Sequence, residues 1–265
     1  MLDERRKRYL AAMGVPVYRR RARTAVGTPG ERCEETAPVA AGMQGSVDDV
    51  ADRHPATVSG VDSAEVAEVV RAGQTSEPKS DWPELKRQVA TCTACALHES
   101  RNNAVFGVGR EDADLMVIGE APGADEDQQG EPFVGRAGQL LTAMLKAIGL
   151  AREDVYIANI LKCRPAGNRN PLPAEIDCCL PFLMRQIGLI RPRLILSVGG
   201  VSAHNLLGTE ESVGRLRGTV HRFGEDGIPL VVSYHPAYLL RNPSAKREAW
   251  SVLLLVSARL GIKGK

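Results

Sequence analysis

Six cysteines occur in this chain of 265 residues: Cys33, Cys92, Cys95, Cys163, Cys178 and Cys179. Cys92 and Cys95 form a C-x2-C pair, Cys163 follows 68 positions later, and Cys179 lies sixteen beyond that. In a reducing compartment such thiols point to metal binding or reactivity rather than to disulfides. Four thiolates suffice to hold a zinc ion or an iron–sulfur cluster, and the ligand set alone does not separate the two. The bland alternative is a coincidental pair plus buried apolar cysteines. The polar turn around Cys92-Thr93-Ala94-Cys95 favours the metal site. Cys178 competes with Cys179 for the fourth position; on a helix the two point about 100° apart, so one can ligate while the other packs.

A second stretch, GEAPGADEDQQGEPFVGRAG over residues 119–138, follows the apolar run Leu115-Met116-Val117-Ile118. It reads as a long turn at the carboxyl end of a buried strand, where open α/β sheets place their ligands. Its glycines permit close backbone approach, and Pro122 and Pro132 stiffen it. Phe133 is its one aromatic. The dense carboxylates would repel phosphate, and the glycine spacing is no P-loop. Farther on, Asn159 ends an apolar run with an amide that both donates and accepts, although an Asx turn would also place asparagine there. His235 follows the apolar run Leu230-Val231-Val232-Ser233.

The elements that must hold these residues alternate. Strands are expected at 114–118, 154–160, 193–198 and 229–234. Helices are expected near 82–90, 138–148, 173–189, 200–207 and 244–259. Apolar strands alternating with helices imply an α/β fold, a three-layer sandwich around a central, mainly parallel four-stranded sheet. The expected domain spans 81–265. Before it, residues 25–80 are rich in Gly, Pro, Ala, Ser, Thr and acids and read as a flexible linker in which Cys33 and His54 do nothing specific. Residues 1–24 form a basic peptide, read either as a solvated tail or as a docking segment that orders on a partner.

The net charge of +2 hides an asymmetry. Residues 1–32 carry nine Lys/Arg against three Asp/Glu, and residues 33–80 carry three against nine. The remainder is nearly neutral, so it cannot bind nucleic acid by bulk charge and would need Arg and Lys focused on one face. No run reaches the 18 or so apolar residues of a membrane span, and the charged N-terminus lacks the apolar core of a secretory signal. The expected location is cytoplasmic.

Five segments in order now carry a resemblance: CTAC at 92–95, GEAPG at 119–123, GEPFVGRAGQLL at 130–141, ANILKCRPAGNRNP at 158–171 and SYHPAYLLR at 233–241. Over about residues 85–260 the chain resembles the family 4 (type a) uracil-DNA glycosylases, iron–sulfur enzymes of bacteria and archaea. The resemblance implies a monofunctional glycosylase of base-excision repair that hydrolyses the bond between uracil and deoxyribose and leaves an abasic site. It implies a bacterial, monomeric protein, associated with the nucleoid when on DNA, whose partner is uracil-containing DNA, single- or double-stranded. It also implies a [4Fe–4S] cluster on Cys92, Cys95, Cys163 and Cys179. Residues 1–24 are faintly similar to the N-terminal peptide of the clamp loader's psi subunit, which implies a replication-protein partner.

Such chemistry needs a base taken out of the stack, a stacking surface, a reader of its edge, stabilisation of the leaving anion and a positioned water. The resemblance makes Phe133 the stacking surface and Asn159 the reader. It makes His235 the catalytic donor to uracil O2. The backbone of Gly119, Glu120 and Ala121 then lines the pocket, with Glu126 at the C5 edge, closing it against the methyl group of thymine. Ala121 stands where a better-known glycosylase family of this fold has an aspartate, so the water falls to Asn168, Glu120 or Glu126. DNA contacts are expected from Tyr238, Leu239, Leu240 and Arg241. Arg136, Lys162, Arg164, Arg169, Arg215 and Arg217 are candidate phosphate ligands. His204 and His221 match no catalytic motif.

Three other readings compete. A covalently trapping relative would need a histidine and a basic insert that Gly167-Asn168-Arg169-Asn170-Pro171 lacks. A catalytically inert, cluster-bearing DNA-binding module would not need Phe133, Asn159 and His235 together. A zinc hydrolase would need an open metal position, which four thiolates do not leave.

Overall fold

The computed structural model describes residues 81–262, so the expectations for residues 1–24 and 25–80 lie outside the described residues. Strands β1 (Val108–Gly109), β2 (Leu115–Gly119), β3 (Tyr156–Asn159), β4 (Leu194–Val198), β5 (Val220–Phe223) and β6 (Ile228–Ser233) form one sheet, ordered β1-β3-β2-β4-β6-β5. The four expected strands are the parallel centre, and β1 and β5 pair antiparallel at the two edges. Neither edge was expected. β1 is two residues long, and the Val-His-Arg-Phe run of β5 is half-polar, as a strand with one neighbour can be.

Among the described residues nine α-helices accompany the strands: α1 (Asp81–Ala90), α2 (Leu97–Ser100), α3 (Ala124–Gln129), α4 (Arg136–Ala147), α5 (Pro173–Ile190), α6 (Gly200–Leu207), α7 (Val213–Leu216), α8 (Pro236–Arg241) and α9 (Lys246–Arg259). Alternation along the strands sorts their side chains into two cores. Leu115, Val117, Ile157, Leu196 and Val231 pack with α4 and α9 on one face. Met116, Ile118, Ala158, Ile195 and Val232 pack with α5 and α6 on the other. Each such aliphatic side chain, fully buried, contributes about 1.5–3 kcal/mol. A third cluster of Leu85, Val89 and Phe106 seats α1, with Trp82 edge-on to Phe106 at 5.3 Å and to Tyr156 at 5.5 Å.

Register aligns the functional ends. Gly119 lies opposite Asn159, and Val198 opposite Ser233. The carboxyl ends of β2, β3, β4 and β6 are therefore flush, and the segments leaving them meet along one edge of the sheet. No helix among the described residues is long and apolar enough to cross a membrane.

Candidate active site and thiol cavity

An open cleft of about 410 Å³ lies at that edge. Glu120, Ala121, Glu126, Phe133, Asn159, Asn168, Arg169, His235 and Arg241 line it. The structure thus brings together residues expected from four separate segments. Gly119 ends β2 directly beneath them.

Phe133 sits in the left-handed region at φ +55° and is buried. Two glycines make room for it. A Cβ on Gly119 would lie 2.6 Å from Phe133 Cζ and 2.5 Å from Asn159 Oδ1, and one on Gly138 would land on the carbonyl oxygen of Phe133. Arg152, absent from the expectations, donates from Nη2 to the carbonyl of Pro132 at 2.5 Å and holds the loop from below. The ring centroids of Phe133 and His235 are 5.6 Å apart, tilted by 31°.

The carboxylates of the loop have structural partners. Glu126 accepts from the amides of Val134 (2.9 Å) and Gly135 (3.0 Å) on one oxygen and of Gly123 (3.1 Å) on the other. It fastens both ends of the loop while lining the cleft. Asp127 is buried and accepts from Asn102 and Asn103. The acid-rich run expected to be loop is in fact α3, with Asp125, Glu126 and Asp127 in its first turn, where the helix dipole favours them. Glu120 is half-buried in the cleft wall, and burial pushes its carboxyl above the ordinary range.

Asn159 is 2% exposed, and its Oδ1 has no hydrogen-bond partner. A buried acceptor left unpaired costs about 1–3 kcal/mol, and this one belongs to a residue of the cleft lining. His235 caps α8, and its Nδ1 accepts from the amide of Ala237 at 3.2 Å. Nδ1 therefore carries no proton, and the neutral ring carries it on Nε2. Burial first, then the nearby Arg241 cation, lowers the His235 pKa to about 4, against a smaller opposing pull from Glu126. The imidazole is a neutral donor at neutral pH.

Asn168 lines the cleft at φ +55°, and its Oδ1 accepts from Arg164 Nε at 2.8 Å. Arg164 is thereby tied to the cleft wall. Arg169 instead makes a two-pronged pair with the buried Glu175, at 2.5 and 2.9 Å, which removes it from the free cations expected to meet phosphate. Lys162 also departs from expectation. It is fully buried, and its Nζ donates to the Asn159 carbonyl at 2.9 Å and to Gln186 Oε1 at 2.7 Å. Burial lowers its pKa to about 8, and no DNA phosphate can reach it. Leu239, expected at the DNA surface, is 1% exposed and belongs to the α4–α9 core. The segment is helical there, and each residue of a helix turns about 100° from the last, so Leu239 faces in while Tyr238, Leu240 and Arg241 face out. Arg136 and Arg215 are exposed. Arg217 donates to the Tyr234 hydroxyl at 3.3 Å. His204 and His221 bond to backbone carbonyls away from the cleft.

The thiols occupy a second cavity, lined by Cys92, Cys95, Cys163, Cys178 and Cys179 with Val89, Leu97, Leu161, Phe182, His98 and Arg101. No acidic side chain lines it. Arg101 donates to Cys163 Sγ and the Lys162 amide to Cys179 Sγ, both at 3.1 Å. Burial pushes both thiols up, Cys179 to about 11. Cys179 is the buried member of its pair, and Cys178 Sγ reaches the carbonyl of Ala94 at 3.5 Å. Among the described residues no His, Cys, Asp and Glu side chains form a group that could hold a metal ion as they stand; the thiols surround a space. The lining combines thiols, two of them accepting hydrogen bonds, with apolar and basic neighbours, a donor set of the kind that ligates metal through sulfur.

The family profile described as the Uracil DNA glycosylase superfamily matches residues 106–254. The chain is 45% identical over 172 residues to a protein of Archaeoglobus fulgidus named "Type-4 uracil-DNA glycosylase", covering 62% of this chain and 86% of that one. Proteins of the same name from Pyrobaculum aerophilum (43% over 174 residues, 63% and 89% covered) and Thermotoga maritima (44% over 162 residues, 60% and 83% covered) are similarly close.

Proposed function

We infer the function from one premise: this chain belongs to the uracil-DNA glycosylase superfamily. It is a DNA-repair hydrolase that removes uracil from DNA by cleaving the N-glycosidic bond. The observation that carries this reading to the site is the unpaired, buried Oδ1 of Asn159. Uracil offers a donor at N3 and an acceptor at O4. The Asn159 amide accepts the first on Oδ1 and donates to the second from Nδ2. Cytosine presents the opposite pattern at those two atoms and would leave buried groups unpaired, which is how a polar site rejects an analogue.

In this reading the extruded uracil lies on Phe133, as bases do on aromatic rings for about 1–3 kcal/mol. His235 donates Nε2–H to uracil O2 and stabilises the negative charge that grows on the base as the bond breaks. A neutral donor does so without giving up its proton, and preorganised donors of this kind typically contribute about 3–4 kcal/mol. Asn168 and Glu120 face the cleft where the water must sit. Asn168 orients it, and Glu120, whose carboxyl is held above the ordinary range, receives its proton. Arg136, Arg164, Leu240 and Arg241 meet the DNA.

Cys92, Cys95, Cys163 and Cys179 would hold a [4Fe–4S] cluster, with Cys178 left as a free thiol. Through these residues the turn before the sheet, the segment after β3 and α5 would be cross-linked, a structural rather than a chemical contribution. The support is that all four thiols line one cavity free of carboxylates.

Incubation with single-stranded DNA containing one uracil, followed by alkali, tests the reading. Strand cleavage at the uracil position is expected, and cytosine- and thymine-containing strands stay intact. A retarded but uncleaved strand would replace the enzyme reading with a binding one. The cluster is checked by iron analysis with a visible absorption spectrum.

A further inference from the structure

Four large hydrophobic side chains are exposed among the described residues: Leu172 (52%), Tyr238 (39%), Leu240 (36%) and Leu254. Three of them belong to segments whose other residues line the cleft. Tyr238 and Leu240 belong to α8, the helix that sends Ala237 and Arg241 into the cleft wall. Leu172 follows Asn168, Arg169 and Asn170, which line the wall on another segment. Leu254 lies on α9, which contributes no residue to the lining.

Leu172 is also rigidly presented. Pro171 and Pro173 flank it, and it takes the extended conformation (φ −82°, ψ 150°) that precedes a proline. Its amide donates to Glu175 Oε2 at 2.8 Å, and Arg169 grips that same carboxylate with two nitrogens. Glu175 is buried, so this brace is anchored in the fold. The fixed backbone thus presents a half-exposed apolar side chain two residues beyond Asn170 of the cleft wall.

We propose that Leu172 is a wedge against duplex DNA: it presses into the base stack beside the everted nucleotide, from a different segment of the cleft mouth than Leu240. The inference rests on the uracil-excision reading above. An apolar wedge that separates base steps makes extrusion easier where there is a stack and a partner strand to disrupt. It matters less on a single strand, whose bases are already partly free. Arg169 and Glu175 then act as the brace that keeps the wedge in place.

The test compares kcat/KM on the same uracil-containing oligonucleotide, single-stranded and annealed to its complement. Leu172→Ala is expected to lower the duplex-to-single-strand ratio by roughly tenfold, the scale of losing part of an unstacking wedge. Leu172→Gln, of similar size but polar, is expected to lower it as well. Leu254→Ala, an exposed leucine outside the cleft, leaves the ratio unchanged. An unaltered ratio in both Leu172 variants overturns the proposal, whether or not the two rates fall together. If the unsubstituted protein released uracil from neither substrate, the glycosylase reading would fail and this one with it. An active protein with an unaltered ratio sinks the wedge alone.

Discussion

At the scale of single side chains the proposed site rests on His235 and Asn159. The amide of Ala237 occupies Nδ1 of His235, and burial beside Arg241 brings its pKa to about 4. As pH falls past 6.5, an ordinary histidine would take up a proton; this one stays neutral until the pH nears about 4. The rate of uracil release is therefore expected to show no His235 inflection near 6.5, and a pH profile of kcat/KM checks this. His235→Asn is expected to lose about 10²–10³ in kcat, as removal of a preorganised donor does elsewhere. Asn159 presents the converse. Its unpaired Oδ1 makes the free protein less stable by about 1–3 kcal/mol. Asn159→Ala removes that cost together with the reader of the base, so its thermal midpoint should not fall below that of the unsubstituted protein while uracil release drops by two orders of magnitude or more. Calorimetry and a uracil-release assay read the two effects separately.

At the scale of elements, the loop between β2 and α4 shows how packing decides what a glycine is for. By helix propensity, Gly138→Ala on α4 would stabilise by about 0.5–1 kcal/mol. The structure reverses that sign, because the new Cβ would land on the Phe133 carbonyl. Strain from such overpacking costs about 1–3 kcal/mol, so urea unfolding should show a lower midpoint, and displacement of Phe133 should raise KM for uracil DNA. The core strands were legible because β2, β3, β4 and β6 are largely apolar runs, broken only by Ser197 within β4 and by Asn159 and Ser233 at strand ends, which is what burial on both faces demands. The edge strands were not, because β1 is two residues long with its partner β3 far along the chain, and β5, though it forms a hairpin with β6, is half-polar. α3 was obscured by its acids, which read as loop until Glu126 and Asp127 found amide partners at residues 134, 135, 102 and 103. The common position of three residues in the cleft was legible from Phe133 as the one aromatic of its loop, Asn159 as the end of an apolar run, and His235 two residues past another. Leu239 was misread because six residues, Pro236–Arg241, give too little helical periodicity to show which one faces in.

Across the whole molecule, Lys162 joins the two cavities. Its amide donates to Cys179 Sγ, its carbonyl accepts from Val105, and its ammonium holds the Asn159 carbonyl behind the base reader. Gln186 on α5 completes the junction, accepting from Lys162 and donating to the Phe106 carbonyl (3.0 Å) and the Tyr156 hydroxyl (3.1 Å). A basic residue in a predicted loop looks like a phosphate ligand, and its partner 24 positions away leaves no local mark. The junction predicts a particular pattern of stability. Gln186→Leu removes one of the two acceptors of a buried ammonium and should cost about 1.5–3 kcal/mol, the usual worth of a hydrogen bond to a charged group. Lys162→Met added to it removes the charge as well, and the double variant should recover most of that loss, since replacing both partners by apolar groups is often close to neutral. Affinity for free uracil behaves differently. Both variants loosen the carbonyl of Asn159, so inhibition by uracil should weaken in the single and the double variant alike. Urea unfolding beside uracil inhibition separates the two roles. Recovery of stability without recovery of uracil affinity is the result expected if this junction positions the reader of the base, and recovery of both would leave it a purely structural contact.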